Sequence, residues 1–352
     1  MKNLLKKIFK RCLIRIINKT YTIYPPPQIS YLAQCFGVKD IDLNFKRSRE
    51  FYKNGGDYLL NFIFPKSWQE KIGYYVHNYY NYSPKLIAIR HKWLAKKWTE
   101  RWIGEQYVVP TYGVWDTTAD IEWDKLPKSF VLKACMGYRG EQVIVVYDKY
   151  AVNKTNILRT MQKHIDKSPT FTKKKIIAEM LLLDSNGLIC PQYQFYCGQG
   201  KPLCCRVDFR LHTDVNAKFA NMVFYDIPNW QKLLIQYGKK PSHREVPCPK
   251  NLDEMIKVAS ELSSHFPISR IDLYNVNEHI YVGEITLAPG SAVHSPITPS
   301  EYDFRLGEGV GNVIPVHELD KIILKDKGEF SLDEIGWSKH YDYKSRLIKE
   351  VT

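Results

Sequence analysis

Late in the chain, two short phrases place acids and a base at spacings that can do chemistry. They are Arg270–Ile271–Asp272 and Gly283–Glu284–Ile285–Thr286, followed by Pro289–Gly290–Ser291. Both lie in β-type runs, Arg270 to Asn275 and Ile280 to Leu287, joined by Val276 to His279. A hairpin is expected. Alternate residues of a strand share a face. Arg270 and Asp272 therefore look one way, Glu284 and Thr286 share a face, and the short connection makes Asp272 and Glu284 near neighbours. Two carboxylates so placed repel unless positive charge lies between them. That charge can be Mg²⁺, which takes oxygen ligands and often shares them with nucleotide phosphates. It can equally be Arg270, neutralising both acids.

Two other segments could handle an anion. In FVLKACMGYRGEQVIVV, residues 130–146, a strand ends in Lys133 and runs into a loop holding Gly137, Arg139 and Gly140. Glycines let backbone N–H groups approach phosphate oxygens, and a lysine at the strand end supplies a point charge. No GxxxxGK[ST] loop is present, and a plain glycine turn beside a solvated lysine reads equally from these residues. In IIAEMLLL, residues 176–183, Glu179 interrupts an apolar strand. A buried carboxylate needs a partner. A ligand amine would serve, and so would a lysine.

The elements that must position these residues follow from periodicity. Ser83 to Gly104 reads as two short helices or one broken one, Ile157 to Ile165 and Leu252 to Phe266 as helices, and residues 192–225 as antiparallel strands. Val108–Val109 and Val143 to Tyr147 are further β-type runs. The order of helices, strands and hairpin predicts an α+β architecture rather than a doubly wound sheet. A length of 352 residues exceeds one ordinary core and fits several packed subdomains.

The formal net charge is +14, and residues 1–20 hold seven Lys/Arg and no acid, half of that excess. Their apolar positions (Leu4, Leu5, Ile8, Phe9, Cys12, Leu13, Ile16, Ile17) form one helical stripe flanked by lysine and arginine. An interfacial helix on an anionic membrane fits this pattern, as does a helix docked on the protein. The apolar runs are too short to span a bilayer, and Tyr21 to Pro27 makes a stiff spacer. The eight cysteines form no CxxC pair, which predicts thiols in a reducing compartment and a cytoplasmic location, peripheral on the inner face of the membrane if residues 1–20 bind lipid.

Taken in order, the phrases HKWLAKKW (91–98), IGEQYVVPTYGVWD (103–116), LPKSFVLKACMGYRG (126–140), IIAEMLL (176–182), RIDLYNVN with IYVGEIT (270–277, 280–286) and APGS (288–291) resemble the ATP-grasp superfamily. More narrowly they resemble the TupA-like ATP-grasp family, linked to teichuronopeptide and other polysaccharide biosynthesis. The resemblance implies two α+β subdomains clasping ATP, central over 119–183 and C-terminal over 184–310. It places a mainly helical region at 21–118 before them and a tail at 311–352 after them. It implies that Lys92 and Lys133 bind ATP phosphates under the Gly137–Gly140 loop. Glu179 and the backbone of Met180 to Leu182, Leu181 at its centre, would hold adenine, with Asp184 at the ribose. Asp272 and Glu284 would bind Mg²⁺ with Thr286 beside them, and Arg270 would stabilise the transferring phosphoryl group. Five positions depart from the wider ATP-grasp pattern: His91 stands for an aspartate, Tyr138 and Arg139 enter the small-residue loop, Gln194 stands for a lysine, and Thr286, as in the TupA-like group, for an asparagine.

The implied activity is a carboxylate–amine ligase using ATP. Its partners would be an acidic sugar or polysaccharide precursor and an amine or amino acid, with no nucleic acid. A glycosyltransferase would want a DxD motif, for which only Asp40–Ile41–Asp42 offers itself. A sugar kinase and a non-catalytic binding protein of the same shape are the remaining readings.

Overall fold

The computed structural model describes residues 50–58, 60–62, 65–80, 83–136, 142–168, 173–209, 222–238 and 240–319. The basic segment 1–20, Asp40–Asp42, Gly137, Arg139, Gly140 and most of the 311–352 tail lie outside the described residues.

Three helices open this region. Helix α1 (Trp68–Tyr75) starts from a capping box: the Ser67 hydroxyl accepts from Glu70 N, and the Glu70 carboxylate reaches back to the cap. Helices α2 (Pro84–Ile89) and α3 (Lys92–Ile103) follow, as the broken-helix pattern predicts. Strands β1 (Thr111–Trp115), β2 (Phe130–Ala134) and β3 (Val143–Val146) precede α4 (Lys154–Asp166) and β4 (Ile176–Glu179). These four strands form one antiparallel sheet in the order β1-β4-β2-β3. Its alternation is decisive. Phe130, Leu132, Ala134, Ile176 and Ala178 point into a core completed by Met161 and Ile165 of α4 and by Trp123. Lys133 and Glu179 therefore lie on the opposite face.

Strands β5 (Gln192–Gly198), β6 (Lys201–Asp208), β7 (Met222–Asp226), β8 (Lys232–Leu233) and β9 (Gln236–Tyr237) come next, then α5 (Leu252–Ser263), β10 (Ile268–Val276), β11 (His279–Thr286), β12 (Ile297–Thr298), α6 (Ser300–Val310) and α7 (Val316–Leu319). The second sheet is six-stranded and antiparallel, in the order β11-β10-β5-β6-β7-β8. Phe195, Val207, Ile271 and Ile285 share a core with Leu252, Met255, Val258 and Leu262 of α5. Trp68, Leu86 and Trp98 of the first three helices belong to that same core. The helical segment is thus built onto the large sheet.

Three local expectations are corrected. Thr111–Trp115 is a strand, and Val108, read from sequence as β-type, only bridges Val282 in parallel. Strand β4 ends at Glu179, because Met180 N donates to Pro110 O (2.9 Å) and the chain leaves the sheet to pair Leu183 with Ile189. The β10–β11 connection has two residues, Asn277 and Glu278, both at positive φ (52° and 66°). This is the turn whose twist matches paired strands, and it favours glycine second. Glu278→Gly should therefore raise the unfolding free energy, by up to about 1 kcal/mol. Its exposed ion pair with Lys250 contributes little in return. Urea denaturation showing a less stable variant would contradict this.

Candidate functional site

The two sheets meet at α3. Lys92 N donates to Cys135 O just past β2 (2.9 Å), and Val108, which follows α3, bridges Val282 of β11. Between α3 and β11 lies a cleft with about 400 Å³ of empty space, part of it open to solvent. Lys92 and Lys96 of α3 line one side, Val282, Glu284 and Ile285 the other. His91 caps α3. Its Nδ1 accepts from Leu94 N (3.4 Å), so its Nε2–H donates to Lys173 O (3.1 Å). Burial pushes the imidazole pKa down to about 4, which keeps it neutral as this bonding requires. The departure from aspartate therefore preserves the capping acceptor without its charge.

On the small sheet Glu179 is nearly inaccessible (4% exposed) and carries two ammonium partners. Oε1 pairs with Lys133 and Oε2 with Lys96 (3.1 Å). Burial alone would raise the carboxyl pKa, but the two lysines outweigh it and hold the group below its usual range. The lysine alternative for Glu179 is thus realised. Lys96 also donates to Val109 O (2.5 Å). It went unmarked in the sequence, although it stands four residues after Lys92 and so on the same helix face. Burial pushes the Lys92 ammonium pKa down, Glu284 counters that and Lys133 adds to it, so these charges act as one cluster.

On the large sheet Asp272 pairs with Glu284 across β10–β11, as expected, next to a bulge at Asp272–Leu273. Asp272 is fully buried; Glu284 is exposed. Arg270 grips Asp272 with a fork, Nε to Oδ1 and Nη2 to Oδ2, both 2.6 Å, and donates to Thr286 Oγ1 (3.1 Å). Burial disfavours the Arg270 charge, yet Asp272 outweighs it and raises the guanidinium pKa, with Glu284 adding to the effect. Gln194 donates to Asp272 Oδ2 (3.3 Å).

The remaining sequence candidates are placed as follows. Leu181 lies in the extended segment after β4, where neighbouring Leu182 packs with Val109, Cys190 and Tyr274. Asp184 closes a turn: its Oδ1 accepts from Asn186 N and Leu188 N, each 2.9 Å. Any ribose contact is left to its Oδ2.

A model of the family described as TupA-like ATPgrasp matches residues 70–310. The chain belongs to the TupA-like ATP-grasp family. Its fold is accordingly the α+β ATP-grasp fold, with a four-stranded sheet that carries α4 and a six-stranded sheet that carries α5. Solved structures to which it is similar include the D-alanine–D-alanine ligase of Helicobacter pylori (14% identity, 68% of this chain, 62% of that one, TM-score 0.39). Others are the Bacillus anthracis enzyme complexed with ATP (15%, 64% of each chain, 0.40) and an ADP complex of N5-carboxyaminoimidazole ribonucleotide synthetase (12%, 65% and 52%, 0.38). The chain spans less than two thirds of the length of these three. No curated protein matches it in sequence.

In this TupA-like protein, the described residues contain no group of three or more His, Cys, Asp or Glu able to hold a metal. The donors at the hairpin are two carboxylates and the Thr286 hydroxyl, all oxygen. They suit Mg²⁺ only as a site completed by other oxygens, since the ion demands six.

The buried neutral His91 sets a pH dependence. The unfolded imidazole takes a proton near pH 6.5, the folded one only near 4. Stability is therefore lost as pH falls through that window, by up to about 3 kcal/mol. His91→Asn keeps a capping oxygen without a titrating ring, so its unfolding free energy should fall less between pH 7 and pH 4. Identical pH slopes for the two proteins would exclude this role.

Proposed function

We propose that the chain is an ATP-dependent ligase joining a carboxylate to an amine through an acyl phosphate. One arrangement carries the reading: Lys92 and Lys96 face Glu284 across a cleft, Lys133 joins Lys96 through Glu179, and Glu284 pairs across the strands with Asp272, which Arg270 holds. Lys92 and Lys133 would bind ATP phosphates, beneath a loop of Gly137, Arg139 and Gly140. The apolar cluster of Val109, Leu182 and Tyr274 would flank the adenine, with Glu179 and the Leu181 backbone at its edge and Asp184 toward the ribose. Asp272 and Glu284, with Thr286 beside them, would hold Mg²⁺, which when bound would offset charge on the β- and γ-phosphates. Arg270 would neutralise charge on the phosphoryl group during transfer.

The chemistry balances in two steps. A substrate carboxylate oxygen attacks the γ-phosphorus, and ADP leaves. An amine nitrogen then attacks the acyl carbon, gives its proton to solvent, and inorganic phosphate leaves. The carboxylate would be that of a uronic acid or related sugar in a cell-surface polysaccharide precursor, the amine that of an amino acid. The family resemblance and the basic balance of the chain support this choice. The protein would act in the cytoplasm, held on the inner membrane face by residues 1–20. No helix among the described residues is long and apolar enough to cross a membrane.

Incubation with ATP, Mg²⁺, a panel of uronic acids and amines decides the chemistry. Amine-dependent ADP release supports ligation. A phosphosugar product would replace it with a kinase, and sugar transfer without ATP with a glycosyltransferase. Lys133→Ala should weaken ATP binding at least about 10-fold, and Glu284→Gln should lower turnover at least about 100-fold with an unchanged circular dichroism spectrum. Full turnover in Glu284→Gln would remove the metal assignment. Deleting residues 1–20 should release the protein from anionic liposomes; undiminished binding would refute the anchor.

A further inference from the structure

The face of the large sheet that holds Asp272 continues beyond the hairpin as a single cross-strand row. Glu284 of β11 pairs with Asp272 of β10, Asp272 with Gln194 of β5, Gln194 with Arg206 of β6, and Arg206 with Phe224 of β7. Paired residues share a face, so Arg206 looks into the same side of the sheet as the two acids. It stands two strands from Asp272, roughly 10 Å at the usual strand spacing.

Arg206 is 6% exposed, and few of its donors are used. A guanidinium has five N–H groups. Nε–H donates to Gln194 Oε1 (2.5 Å), and Gln194 in turn donates to Gln192 Oε1 (2.7 Å) and Asp272 Oδ2. The nearest carboxylate to the fork is Asp208, whose Oδ2 lies 3.9 Å from Nη2, too far for a hydrogen bond. Neither Nη nitrogen has a hydrogen-bond partner among the described residues. The rings of Tyr237 and Tyr196 lie 4.9 and 5.9 Å from the guanidinium carbon and fix its plane. Tyr237 also joins this spot to the loop that follows β11: its hydroxyl lies where any side chain at Gly290 would be. No Arg206 nitrogen is both fully enclosed and unpartnered, so the Nη groups open toward solvent, and an oriented, under-used guanidinium beside that loop suits an anion.

We propose that Arg206, set by Gln194 and Tyr237, binds an anionic group of the non-nucleotide substrate, a carboxylate or a phosphate, about 10 Å along the sheet from Asp272. This rests on the ligase reading for the word substrate, but not for the binding itself. The spacing selects an elongated molecule, of monosaccharide size or larger, with its anion remote from the group that reacts at Arg270.

Isothermal calorimetry on the full chain with D-glucuronate, glucose 6-phosphate and D-glucose tests it, with ATP binding measured separately. The wild type should bind at least one of the two anions and not glucose; which anion binds separates the carboxylate from the phosphate. Arg206→Met should weaken that binding about 10- to 100-fold, the range for a lost charge-assisted hydrogen bond, while ATP affinity and the circular dichroism spectrum stay the same. Arg206→Lys, which keeps the charge and loses the fork, should fall between. Unchanged anion affinity in both variants overturns the proposal, and so does a wild type that binds neither anion. Anion binding through Arg206 in a protein that shows no amine-dependent ADP release would retain this subsite and sink the ligase reading alone.

Discussion

The site depends on a carboxylate that the surrounding residues alone could not tolerate. Glu179 is buried in a sheet of Ile, Ala, Val and Leu, and an unpaired charge there would cost several kcal/mol. Lys133 from its own sheet and Lys96 from α3 make it acceptable. Since α3 is packed into the core of the large sheet, this ion cluster also ties the small sheet to the large one. It leaves three ammonium groups, Lys92, Lys96 and Lys133, against the two acids Glu179 and Glu284. A surplus of oriented cations in a semi-enclosed space is the electrostatic requirement for holding a polyphosphate.

The opposite wall solves a like problem differently. Asp272 is inaccessible and would repel Glu284, but Arg270 engages both its oxygens and reaches Thr286 as well. The pair is an internal salt in a polar row that continues through Gln194 to Arg206. Such a row survives burial because most of its members have hydrogen-bond partners. Strand alternation separates it from the apolar side, where Phe195, Val207 and Ile271 meet α5. One sheet thereby carries α5 on one face and, on the other, the candidate chemistry beside buried Tyr196 and Phe224, with Trp68 of α1 against Tyr196.

Much of this was legible in residue order. The β10–β11 hairpin, the strand ending at Lys133 and the helices around residues 157–165 and 252–263 follow from alternation and helical spacing, which are local properties. Strand β1 was not. Its TYGVW run follows a proline and contains a glycine, and it takes up strand structure through its pairing with β4 at a sheet edge. The apolar run after Glu179 misled in the other direction: continuous hydrophobicity implied a longer strand, but Leu182 and its neighbours are buried by a separate small cluster.

By itself the sequence determined the inventory: which strands carry acids, that Asp272 and Glu284 would be cross-strand neighbours, and which family the ordered phrases resemble. These follow from periodicity and spacing, which act over a few residues. Only the tertiary structure decided who neutralises whom. The local pattern alone does not say that Lys96 and Lys133 reach Glu179, or that Arg270 takes both oxygens of Asp272. Those pairings came from α3 crossing the sheets and from the register of β5 against β10 and of β6 against β5. Lys96 and Glu179 lie 83 positions apart, and Asp272 and Gln194 lie 78 apart, and burial in a shared core brings them together.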